Sequence, residues 1–188
     1  MKTAGFTLLE LIIVIIILGV LAVSAYSRFA GKDGVVEYTY QARLISSLRA
    51  MQMRAMQDTR DGYCFQVNLS AAAFGPPDFT HTAPGNPNLA YKLAGSAAEI
   101  ARTCSTAIGS LTPDYLRTNG NEMAEEGLNL DGIASINHIG FDSLGRPVNN
   151  SNPANPVAQC TSGCRIDIKG VTSAGVCIEP QGFIHACP

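Results

Sequence analysis

The chain has 188 residues, a formal charge of −2 and 15% charged residues. That length suits one membrane-anchored domain, or a stalk with one modest head, and the charge gives no general drive toward nucleic acid or anionic lipid. No Trp and 18 glycines describe a small-residue, loop-rich protein.

Twenty residues run from Phe6 to Ala25 with Glu10 as the only charge. At about 1.5 Å per residue, a helix of that length just spans a bilayer core. Its β-branched residues hint at strand, but its length argues against one, and in lipid a helix satisfies its own backbone. Glu10 is the anomaly, because a carboxylate at the bilayer centre costs about 2.5–3.5 kcal/mol. The plain reading puts Glu10 near the headgroups. The sharper reading needs a cation at the same depth. A cut between Gly5 and Phe6 would create one, the new α-amino group, which could pair with Glu10 of a neighbouring copy. A rival is an ordinary secretory signal peptide with Val23-Ser24-Ala25 as its cleavage site. Glu10 would open that hydrophobic region with a negative charge, and Lys2 alone makes a thin positive region.

Gly5-Phe6-Thr7-Leu8-Leu9-Glu10, followed by Leu11 to Gly19, resembles the processing and assembly signal of type IV pilins and type II secretion pseudopilins. The resemblance implies a leader over 1–5, cut after Gly5 by a membrane prepilin peptidase, and N-methylation of Phe6. It implies that Glu10 then pairs with the amino terminus of another pilin subunit on an inner-membrane assembly platform. The implied fold is the α+β type IV pilin fold: a long amino-terminal helix, membrane-spanning in its first half, laid against an antiparallel β-sheet head. One departure stands out. Many pilins carry Pro some way into this helix, where Tyr26, Ser27 and Arg28 stand here. Melting on assembly would have to begin at Gly19, the one helix-weakening residue inside the run.

The expected organisation is a transmembrane and assembly helix over 6–26, an amphipathic second half over 27–60, and a disulfide-stabilised head over 61–188. Tyr26 and Phe29 suit a membrane interface, with Arg28 and Lys32 reaching headgroups. Gly31 and Gly34 weaken the helix by about 1 kcal/mol each, so a continuous helix with a soft spot is expected, a true break being the alternative. Val36, Tyr40, Leu44, Leu48, Met51 and Ala55 then build one apolar stripe. Arg43, Arg49, Arg54 and Arg60 lie off that stripe and read as a solvated surface. A DNA track is the sharper reading, but no aromatics interleave with them.

In the head, 63–69 alternates as a strand and 75–88 is a Pro/Gly loop. Ala97 to Ala101 suggests a helical turn or two. Thr112-Pro113-Asp114-Tyr115-Leu116 reads as a cap with Pro opening a short helix, and Asn119-Gly120-Asn121 as a turn. Strands are expected at Ile133 to Phe141 and Cys164 to Gly170, with a turn over Asp142 to Pro147 and an Asn/Pro loop over 149–156. A hairpin is expected between Val176–Glu179 and Phe183–Ala186 across Pro180-Gln181-Gly182. Residues 139–147 and the closing strands resemble the carboxy-terminal sheet of minor pilins and H-class pseudopilins, most of all minor pilins of the mannose-sensitive haemagglutinin type.

All six cysteines, Cys64, Cys104, Cys160, Cys164, Cys177 and Cys187, follow the apolar run. An even count on the exported side suggests periplasmic disulfides, whose connectivity spacing alone leaves open. Cys160 and Cys164 suit a disulfide closing a small loop better than a metal site or a redox motif. Cys177 and Cys187 flank the last hairpin, which leaves Cys64 and Cys104 as a third pair.

His81, His138 and His185 are scattered and read as surface or satisfied core residues. Glu122, Glu125 and Glu126 concentrate oxygen ligands, but without calcium-loop spacing, and read as a solvated charged turn. No Gly-x-Ser-x-Gly elbow accompanies the Ser, His and Asp residues. No catalytic site, metal or cofactor is expected. The expected function is structural: a minor subunit of a cell-surface pilus contributing to attachment. The alternatives are an H-class pseudopilin and a DNA-uptake or adhesive pilin binding through its head.

Overall fold

The computed structural model describes residues 8–29, 34–57, 65–77, 106–110, 112–119, 121–133, 136–149 and 157–188. Helix α1 runs Leu8–Phe29 and α2 runs Val35–Gln57. The strands are β1 (Gln66–Ser70), β2 (Ala73–Gly75), β3 (Asn129–Asp131), β4 (His138–Phe141), β5 (Pro147–Asn149), β6 (Val157–Ala158), β7 (Cys164–Lys169), β8 (Ser173–Ile178) and β9 (Ile184–Ala186). A 3-10 turn at Asp114–Leu116 and the short α3 at Glu122–Glu125 lie between β2 and β3. The class is α+β, as expected.

Two points correct the expected helix and sheet. The described residues hold two helices rather than one continuous one. Gly34 has φ +93 immediately before α2, a left-handed conformation that an α-helix cannot contain and that glycine adopts without a Cβ penalty. Among the described residues the head carries two antiparallel sheets rather than one, in the orders β2-β1-β4-β5-β6 and β3-β7-β8-β9.

Both sheets press on the same side of α2. From the first come Val67, Leu69, Phe74, Ile139 and Phe141, and from the second Leu130, Ile166, Ile168, Val176, Ile178 and Ile184. They close around Tyr40, Leu44, Leu48, Met51 and Ala55, which recur at helical spacing. The period-2 alternation of β7 sends Ile166 and Ile168 inward, opposite Val176 and Ala174 of β8. The Leu130 amide donates to the Ala71 carbonyl at 2.8 Å, tying β3 to the β1–β2 turn.

The closing hairpin pairs Val176 with Ala186 and Ile178 with Ile184, and Gly182 supplies the positive φ of its turn. In the turn before β5, the Asp142 carboxylate accepts from the amides of Leu144 and Arg146 at 2.9 and 2.8 Å. Elsewhere the elements are shorter than expected. The Ile136 amide donates to the Ile133 carbonyl at 3.0 Å, closing a turn where a strand was expected and leaving only His138–Phe141 extended. The Thr112 hydroxyl does not cap a helix. It donates toward the Pro76 and Pro77 carbonyls at 3.4 and 3.2 Å, and Pro113 takes the cap position of the 3-10 turn. Strands β2, β3, β5 and β6 have no counterpart in the sequence reading. The expected turns at Ala97 to Ala101, and most of the 75–88 and 149–156 loops, lie outside the described residues.

Candidate assembly surface

The side chains of α1 are described from Leu8 to Ala22, and all of them are exposed. Among its large apolar residues exposure runs from 40% at Ile12 to 76% at Leu8. Apolar side chains surround the helix, so no single stripe can turn them toward the head. Among the described residues no helix is long and apolar enough to cross a membrane. Glu10 sits in the first turn of α1, exposed on this apolar surface. Gly5 and Phe6 lie outside the described residues, and so do the side chains of Tyr26, Arg28, Phe29 and Lys32.

α2 is the opposite case. Besides its apolar stripe it buries Glu37, Gln41 and Ser47. The Glu37 carboxylate accepts from the Thr172 amide in the β7–β8 turn at 2.8 Å. That amide, then the residue's own, hold its pKa below the ordinary carboxyl value, against the opposing effect of burial. A Cβ on Gly170 would meet the ends of the Leu128 and Glu37 side chains, so a larger residue there would have to displace them. Gln41 donates to the Gly175 carbonyl, and the Ser47 hydroxyl to the Leu116 carbonyl at 2.6 Å. Gln52 Nε2 donates to two carbonyls at once, Gly145 at 2.7 Å and Gly182 at 2.6 Å, and so joins a turn of each sheet.

Arg49 and Arg54 are exposed, as the solvated reading expects, and Arg43 departs from it by being half-buried. Arg43 pairs with Glu122, donates to the Arg117 carbonyl at 2.8 Å, and lies 5.2 Å from the Tyr40 ring centre. Its bond to Glu122 is the leading cause that lowers that carboxyl's pKa. Arg49 donates to the Ile184 carbonyl at 2.7 Å. These two cations are fastened to the head, and Arg60 lies outside the described residues.

The far side of α2 carries a second apolar stripe that the sequence reading missed. Val35, Tyr38, Ala42, Ile45, Ala50 and Met53 line two adjoining hollows of about 580 Å³ and 640 Å³, which share Ala42, Ser46 and Tyr115. The 3–4 spacing of small and apolar residues was the available signal. Tyr115 gave none, because the 3-10 turn brings it there from the head.

Cys160 is joined to Cys164 and Cys177 to Cys187, with S–S distances of 2.03 and 2.06 Å. These are two of the three pairs expected, and Cys64 and Cys104 lie outside the described residues. His138 is buried between the side-chain oxygens of Asn137 and Asn149, at 2.7 and 3.0 Å from its ring nitrogens. Burial pushes its pKa down, against the Asn149 bond. His185 stacks on Phe183 with ring centres 4.9 Å apart and reaches Glu179 at 3.3 Å. His81 lies outside the described residues. Among the described residues no group of His, Cys, Asp and Glu could hold a metal ion.

Residues 1–26 match the prokaryotic N-terminal methylation motif, the signal of type IV pilins and pseudopilins. No curated protein and no solved structure matches the chain.

Proposed function

We propose that the chain is a structural, non-enzymatic subunit of a type IV pilus. A prepilin peptidase cuts it after Gly5, and Phe6 becomes the methylated amino terminus. Before assembly, α1 and the residues flanking it anchor the chain in the inner membrane with the head in the periplasm. During assembly the platform transfers α1 from lipid into a bundle of neighbouring helices, and Glu10 pairs with the amino terminus of another subunit. The observation that carries this reading is the junction of two features. The methylation motif over 1–26 leads into a helix whose described surface is exposed and apolar all round. Lipid and other helices are the two environments in which such a surface is stable.

Within that class the chain acts as a minor subunit contributing to surface attachment. The cysteine-rich head, stapled at Cys160–Cys164 and Cys177–Cys187, supports this reading over a secretion pseudopilin.

The deciding experiment is intact mass and amino-terminal sequence of the mature protein from its native membrane, with and without reduction. The expected result is a methylated Phe6 start and a mass gain of two hydrogens for each of three disulfides. A start at Tyr26 would identify an ordinary exported protein and end the filament reading. Glu10→Ala is expected to be cut normally yet enter filaments at least tenfold less well. Wild-type incorporation would make Glu10 merely interfacial.

A further inference from the structure

We infer that the outward groove of α2 rests on an anionic lipid surface before the subunit is assembled, with Tyr38 and Tyr115 at headgroup level. The inference rests on the anchoring of α1 in a membrane and adds what the adjoining face of the head does there. The groove follows α2 from Val35 to Met53, about 27 Å at 1.5 Å per residue. Its near end is tethered to the anchor. α1 ends at Phe29 and α2 begins at Val35, and so short a connection spans about 20 Å at most. The left-handed backbone of Gly34 interrupts the helix, so the axis of α2 need not follow that of α1. The tether keeps lipid at high effective concentration beside the groove, whereas a soluble partner has to be captured from dilution.

The chemistry of the groove suits the boundary between hydrocarbon and headgroups. Val35, Tyr38, Met53 and Tyr115 are 53 to 67% exposed. Tyrosine combines an apolar ring with a polar hydroxyl and favours that boundary. Ala42, Ser46 and Ala50 lie in the floor between them and keep the surface shallow.

The charges are of one sign. Arg43 and Arg49 are the charged members of the groove, and no acidic residue lines it. Arg54 is exposed farther along the helix, and Glu37, the one acid of α2, is buried. Asp114, next to Tyr115, pairs with Arg117 at 2.9 Å, and Glu122 pairs with Arg43. Arg49 donates to a neutral carbonyl, that of Ile184, and keeps its full charge. The net charge of −2 over the whole chain conceals this basic face. An acidic soluble partner would meet the arginines and leave the tyrosines and Met53 uncovered. Anionic lipid serves both, taking the apolar groups among its upper chains and the guanidinium groups among its phosphates.

The chain has no Trp, so one introduced Trp reports alone. Tyr38→Trp and Met53→Trp probe the two ends of the groove in the full chain. The chain is reconstituted at low protein density into vesicles of phosphatidylcholine and phosphatidylglycerol with brominated acyl chains. Both probes should be quenched at least twofold relative to unbrominated vesicles, while Asn129→Trp on the outer face of β3 is not. Quenching of neither probe would overturn the inference. Quenching of Tyr38→Trp alone would overturn it too, since the tether by itself brings the near end close. High salt, or vesicles of phosphatidylcholine alone, should reduce the quenching at least twofold, and unchanged quenching would overturn the assignment to anionic lipid. A blue shift without quenching, appearing as protein density rises, would assign the groove to another copy and overturn the inference. Ile15→Trp tests the anchor separately. If it is quenched and the groove probes are not, the groove reading falls and anchoring stands. If it is not quenched, both fall.

Discussion

α1 and α2 have nearly the same length, 22 and 23 residues, and opposite fates. α1 is apolar around its circumference and buries none of its described side chains. α2 is slightly polar on average, yet it holds the centre of the core. Total hydrophobicity therefore does not decide which helix organises the head. Patterning does, because a stripe can face a sheet while a uniformly apolar cylinder has no side to turn away from water. Buried polar groups then set the seat of α2. Leucines tolerate a slide along a sheet, but Glu37, Gln41 and Ser47 each have one named backbone partner and Gln52 has two.

The sharpest way to break this contrast is to remove the same kind of bulk from each helix. Leu48 is fully buried and Ile15 is 58% exposed. Leu48→Ala should destabilise the head by about 2–5 kcal/mol, read by urea unfolding of the detergent-solubilised chain. Ile15→Ala should leave the head's unfolding midpoint unchanged. Equal effects would mean that α1 belongs to the head's cooperative unit.

A smaller effect is expected at the Glu37 seat. Glu37→Ala removes a charge-assisted acceptor from Thr172 and should cost about 1.5 kcal/mol. Because the folded pKa lies below the ordinary value of 4.5, the contribution is complete above that pH and is lost as pH falls through the folded value. Glu37→Gln should flatten that part of the acid-unfolding profile. An unchanged profile would assign acid sensitivity to other carboxylates.

An effect of similar size is expected at the break between the helices. Gly34→Ala must place a Cβ in left-handed backbone, and should cost about 1–2 kcal/mol while raising helix content by circular dichroism if the two helices fuse. A loss of stability without added helix would show that the Glu37–Thr172 contact, not Gly34, maintains the break.

Much of this was readable from residues whose reasons are local. The stripe from Tyr40 to Ala55 is carried by its spacing, β7 by its alternation, and the closing hairpin by Pro180-Gln181-Gly182. The break was visible only as a weakness, because two glycines tolerate a helix as well as a turn, and the contact of Glu37 with Thr172 that favours the turn spans 135 positions. Arg43 looked solvated for the same reason: its partner Glu122 lies 79 residues away. The division into two sheets depends on which edges meet, a matter of pairing that no single strand encodes. Of the candidate surface, the amino-terminal motif was plain in the residues, and the outward stripe of α2 was present but masked by the stronger inward one. Tyr115 was beyond reach, since only the folded head brings its 3-10 turn beside the helix.

The two ends of α2 are tied to different strands of chain. Glu37 holds the β7–β8 turn at one end, and Gln52 holds the Gly145 and Gly182 turns at the other. The ties are fifteen residues apart in sequence, about 22 Å along the axis. A pull along α2 from its Val35 end would meet the Glu37 tie first and would load the helix–sheet interface in shear. Contacts loaded in shear must fail together, whereas those being peeled fail one after another. These two side chains hold the head to α2 near both ends of the helix.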